Sequence, residues 1–155
     1  MKHNVLGINI RTMIKKLVIE KEKGGMRPLE PNHEEKQRIT LNSKGMVWFT
    51  AYGADTTDGW KYKPLRKTRT KLGEEQTKTI LGLAEELFGE MHGLIDPPIC
   101  DGERDLLTVN YESGYAQKKY INEEEHPTMQ RLYEELRKAL AIKTLLLFEY
   151  DFYTE

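Results

Sequence analysis

Ile80, Leu83, Ala84, Leu87 and Phe88 fall at i, i+3, i+4, i+7 and i+8 within residues 74–88, with Glu85 and Glu86 on the opposite side. A helix with one apolar stripe must cover that stripe with something, and the flanking sequence offers strands. Glu74 and Glu75 stand at the helix start, where the helix dipole favours negative charge. Ile14 to Glu22 reads as a first strand closed by Gly24-Gly25, and MRPLEPNHEEKQ as a loop. Arg38–Leu41 and Met46–Tyr52 are β-rich runs joined by Asn-Ser-Lys-Gly, a hairpin whose second strand carries Trp48, Phe49 and Tyr52.

The plan then recurs. Leu106–Tyr111 and Tyr115–Ile121 flank Ser113-Gly114 as a second hairpin. Pro127 suits a first helical turn and opens a stripe of Met129, Leu132, Tyr133, Leu136, Ala139 and Leu140, with Glu134 and Lys138 as an i, i+4 pair. TLLLFEYDFYTE alternates Leu146, Phe148, Tyr150 and Phe152 with acids and reads as a closing half-buried strand. The predicted fold is α+β: a mainly antiparallel sheet with two helices packed on one face, built from two hairpin-plus-helix units. Residues 1–155 read as a single domain of ordinary size. Residues 1–12 read as an extension and Met13 as an alternative start.

WKYKPLRKTRTK, residues 60–71, holds six Lys/Arg and no acid. As one regular strand it puts Trp60, Tyr62, Pro64, Arg66, Thr68 and Thr70 on one side. Lys61, Lys63, Lys67, Arg69 and Lys71 take the other, with Leu65 the exception. Pro64 and the lysines suit an edge strand or a bulge. The sign asymmetry extends further. Residues 1–71 carry 16 Lys/Arg against 7 Asp/Glu, and residues 72–155 carry 8 against 18, although the whole chain has a formal net charge of −1. Either basic strands and acidic helices cancel, or the two ends present opposite fields, each able to steer a partner.

Several chemistries lack their sequence signatures. No Gly-rich phosphate loop, nucleophile elbow, Cys-x-x-Cys or His-Glu-x-x-His is present. His92, Asp96, Cys100 and Asp101 form the best metal candidate, but Pro97-Pro98 keeps them off one helical face, so neither metal nor cofactor is expected. Glu123-Glu124-Glu125 reads as an acidic lead-in to a helix. The lone Cys100 excludes a disulfide framework and points to a reducing, cytoplasmic compartment, and no run approaches the ~20 apolar residues of a membrane span.

The expected function is that of a small cytosolic protein-interaction module, an inhibitor or an immunity-type or anti-defence binding protein acting through charged and aromatic surface. Enzymatic activity is disfavoured. The candidate partner-binding residues are Trp60, Lys61, Lys63, Arg66, Lys67, Arg69, Lys71, Tyr111 and Tyr115. The partner is expected to be a protein, with no membrane involved, and an edge strand can pair two copies as a homodimer. Two alternatives stand beside this: a cryptic enzyme with a cleft near residues 89–105, and a weak nucleic-acid binder through residues 61–71, disfavoured because the aromatics of a regular strand point away from most of the bases.

Overall fold

The computed structural model describes residues 13–24, 33–57, 59–91, 104–121 and 126–147. The strands are β1 (Ile14–Glu22), β2 (Lys36–Asn42), β3 (Met46–Asp55), β4 (Lys61–Lys71), β5 (Arg104–Tyr111) and β6 (Ala116–Ile121); the helices are α1 (Glu74–Glu90) and α2 (Pro127–Ala139). The strands form one six-stranded sheet in the order β4-β3-β2-β1-β5-β6, and its pairings are antiparallel. This is the expected α+β fold.

Opposed residues of antiparallel strands share a face, so the register divides the sheet. One row across it reads Thr70, Val47, Leu41, Leu17, Val109 and Gln117, and the next reads Thr68, Phe49, Ile39, Ile19, Leu107 and Lys119. The apolar members of these rows are buried in one cluster with Ile80, Ala84, Leu87 and Phe88 of α1 and Met129, Leu132, Tyr133 and Leu136 of α2. Both helices therefore cover one face. Burying such aliphatic side chains contributes roughly 1.5–3 kcal/mol each. Thr128 Oγ1 donates to Glu90 at 2.9 Å and Arg131 to Glu86 at 2.8 Å, tying the helices together.

Turn chemistry sets the strand lengths. In the β2–β3 turn the Asn42 side-chain oxygen accepts from the amides of Lys44 and Met46, both at 3.0 Å, and Gly45 adopts φ +91°. The α1 start is closed by Gln76, whose Oε1 accepts from the Gly73 amide at 3.3 Å. At the end of α2, Lys138 meets Glu135 at 3.2 Å, not the Glu134 expected from spacing.

A third row on the helix side is polar: Arg66, Ala51, Gln37, Lys21 and Asp105, ending on Ile121. Lys21 Nζ donates to both Asp105 oxygens at 3.0 and 3.1 Å, and the Tyr133 hydroxyl donates to the same carboxylate. Arg66 contacts the wholly buried Glu34 at 2.6 Å. Gln37 donates to the Thr144 carbonyl at 3.1 Å and accepts from the Leu146 amide, while Arg137 donates to the carbonyls of Leu145 and Leu146. These bonds replace the start of the expected closing strand. Residues 143–147 form turns, with Thr144 and Leu146 at positive φ and both Leu145 and Leu146 buried. A strand alternates its side chains and cannot bury two successive residues on one side.

The rest of that segment, with Phe148, Tyr150, Phe152 and Tyr153, lies outside the described residues, as do residues 1–12, most of the loop after Gly24, Glu123–Glu125 and the His92, Asp96, Cys100, Asp101 set. No helix of the described residues is long and apolar enough to cross a membrane.

Candidate binding face

Among the described residues no helix covers the second face of the sheet. Its side chains also follow from the register. One row reads Arg69, Trp48, Thr40, Val18, Thr108 and Lys118. Beside it lie Lys71 and Met46, then Asn42, Lys16, Asn110 and Ala116. In the other direction come Lys67, Thr50, Arg38, Glu20, Leu106 and Tyr120, and then Pro64, Tyr52, Lys36, Glu22 and Arg104. The acids of this face belong to the last two rows and are engaged there. Glu20 lies 3.3 Å from Lys36 and 3.7 Å from Arg38, and Glu22 accepts from Arg104 at 2.8 Å. That bond holds the Arg104 guanidinium more firmly charged than usual.

The first two rows hold no acid. Among the described residues nothing pairs with Lys16, Lys67, Arg69, Lys71 or Lys118, all of them exposed. Trp48 sits among them with 42% of its surface exposed. Beside it a shallow groove of about 570 Å³ is lined by Lys15, Lys16, Thr40, Asn42, Asn110 and Tyr111, among others. Lys15 reaches this groove because a bulge between Ile14 and Lys16 displaces it from the ladder. Glu74 borders the Lys71 corner, and Glu112 occupies the adjoining β5–β6 turn.

The basic strand departs from the regular alternation that its sequence suggests. Ala51 pairs with Arg66 and Tyr52 with Pro64, so Leu65 is an extra residue that resets the parity of β4. Tyr62 and Pro64 thus share the open face with Lys67, Arg69 and Lys71, while Arg66, Thr68 and Thr70 turn to the helix side. The reason for the bulge is visible at Gly53, where an added Cβ would come within 2.9 Å of Leu65 Cδ1: the leucine packs against bare backbone. The objection that aromatics and bases point apart on this strand therefore fails.

The expected partner-binding residues divide accordingly. Lys67, Arg69 and Lys71 lie together on the open face. Lys61 and Lys63 lie opposite Asp55 and Gly53, on the other parity. Arg66 is drawn inward to Glu34, with its guanidinium 5.3 Å from the Phe49 ring centroid. Trp60 packs edge-on against Tyr62 at 4.7 Å and remains half exposed. Tyr111 is buried, donates to Gln117 at 2.9 Å and stacks on the exposed Tyr115 at 5.8 Å. Burial pushes the Tyr111 phenol above its ordinary pKa. Sequence reasoning passed over Lys16, Trp48, Asn42, Asn110 and Lys118. They stand on five strands, and only the strand order places them on one face.

The cleft expected near residues 89–105 falls largely outside the described residues. Its last member, Asp105, is 5% exposed and committed to Lys21 and Tyr133. Among the described residues no cluster of three or more His, Cys, Asp or Glu is placed to hold a metal.

No protein-family model matches the chain, and no curated protein matches it.

Proposed function

We propose that the chain is a binding module whose working surface is the open face of its sheet and whose partner is acidic. The observation that supports this most directly is the end of that face around the exposed Trp48, where Lys16, Arg69 and Lys71 stand in rows without an acid and Lys67 adjoins them. Desolvating unneutralised cations is unfavourable, so a surface of this kind gains most by meeting negative charge. The helices that cover the other face, α1 and α2, together carry seven Glu against four Lys/Arg, with Glu74 at the border beside Lys71, so their balance is acidic where that of the Trp48 end is basic. An inhibitor or immunity-type protein in the cytoplasm is a role that such a surface serves, since recognition by charge and aromatic contact needs no catalytic group.

The test uses heparin as a generic polyanion. The wild-type chain is expected to be retained on a heparin column and to elute at higher salt than the Arg69→Glu/Lys71→Glu variant. Absence of retention, or equal elution of the two, would overturn the reading.

A further inference from the structure

We infer that the acidic partner of this face is a single-stranded nucleic acid, with one base stacked on Trp48 and the phosphate backbone following Arg69, Lys71 and Lys16. The inference rests on the proposed binding role of the same face and names its ligand.

Three features of the face separate nucleic acid from an acidic protein. First, composition: the centre of a protein–protein interface is depleted in charge, and lysine is depleted there generally, whereas nucleic-acid interfaces are more polar and strongly positive. Around Trp48 stand Lys15, Lys16, Lys67, Arg69 and Lys71, with Trp48 the one large hydrophobic group exposed above the described strands of this face. Second, Trp48 is flanked by neutral hydrogen-bonding groups. Thr40 stands directly across from it, and Asn42 and Asn110 line the same groove. Amide and hydroxyl groups beside an aromatic platform can meet the edges of a base stacked on that platform. Third, the cations of β4 recur every second residue on one face, about 6.7 Å apart at the rise of an extended strand. They form a track along the strand instead of a point of charge.

Shape selects a single strand over a duplex. Six strands at a spacing of about 4.8 Å span roughly 24 Å, twice the ~12 Å width of a DNA major groove, so the sheet cannot enter it. Bases of a duplex are stacked on one another and unavailable to Trp48. Those of a single strand are free, and every base offers a π-face. The reading therefore predicts binding with little sequence preference.

The experiment uses a Trp60→Phe background, which leaves Trp48 as the sole tryptophan of the two in the chain. The probes are a single-stranded oligouridylate, a duplex DNA of equal length, and polyglutamate. The expected result is quenching of Trp48 fluorescence by the oligouridylate, with much weaker binding of the other two. Read by anisotropy of a dye-labelled oligouridylate, Trp48→Ala should weaken binding roughly five- to 150-fold, the equivalent of losing one base stack, and Trp48→Phe should restore most of it. Replacing Arg69 and Lys71 together with Ala should flatten the slope of log affinity against log salt by about 1.4.

Polyglutamate bound as tightly as the oligonucleotide, or oligonucleotide bound without quenching, would overturn the nucleic-acid inference. In either case, retention on heparin that still depends on Arg69 and Lys71 would leave the binding face standing. If neither heparin nor any probe is bound, the proposed function falls with it.

Discussion

Trp48 on β3 stands directly opposite Arg69 on β4, on the sheet face that the helices leave uncovered. The pairing exists because β3 and β4 run antiparallel from a connection at residues 56–60, and because the Leu65 bulge, between that connection and the pair, shifts the register by one residue; without it Trp48 would face Thr68. Arg69 pairs with no acid among the described residues, so its charge is available beside the indole. Replacing Arg69 and Lys71 by Glu should change stability by no more than about 0.5 kcal/mol, since both are exposed and make no ion pair to lose. Urea unfolding of the variant beside its heparin elution will show whether binding and stability separate in this way.

Lys21 and Asp105 behave oppositely. They are 4% and 5% exposed, and each compensates the other's buried charge. Lys21→Met should cost about 3–5 kcal/mol, because it takes the buried ammonium from a carboxylate held in the interior, where Tyr133 also donates to it. The double variant Lys21→Met/Asp105→Leu should recover much of that loss, since it removes the uncompensated charge as well. Denaturant midpoints of the single and double variants check both statements.

Two glycines give contrasting outcomes. Gly45 holds φ +91°, and a Cβ there would lie 2.7 Å from the Leu72 carbonyl oxygen, so Gly45→Ala should destabilise by more than about 1 kcal/mol. Gly82 lies within α1 with nothing within 4 Å of an added Cβ, so Gly82→Ala should stabilise by about 1 kcal/mol. Thermal unfolding of the two variants should move in opposite directions.

Tyr62 contributes a pH dependence at alkaline pH. Burial, followed by the charges of Glu22 and Glu35, pushes its phenol up to about 12 from an ordinary value near 10. A folded pKa above the unfolded one contributes stability that is fully present below about pH 10 and lost as pH rises towards 12. The tyrosinate absorbance should accordingly show a late-titrating tyrosine that Tyr62→Phe removes. This variant should also lose less stability than the wild type across that alkaline window.

Much of the fold is legible in the sequence because its elements follow simple periods. The α1 stripe from Ile80 to Phe88, Pro127 at the α2 start, and the turns at Asn42–Gly45 and Ser113-Gly114 each announce themselves within a few residues. Leu65 does not. Its bulge answers to Gly53 on the neighbouring strand, and that one residue moves Tyr62 and Pro64 onto the face of Lys67, Arg69 and Lys71. Nor does the segment at Thr144–Leu146, where alternation suggests a strand but Gln37, Arg66 and Arg137 claim its polar groups. The open face was legible only in part. Its β4 cations stand in one run, whereas Lys16, Trp48 and Asn110 meet them only once the order β4-β3-β2-β1-β5-β6 is known.

Lysine acetylation footprinting, with and without saturating oligouridylate, tests the central claim most directly. The account predicts protection of Lys16, Lys67 and Lys71 on the open face, with Lys138 of α2 labelled equally in both conditions. Protection confined to Lys138, or an unchanged pattern at every lysine, would contradict it.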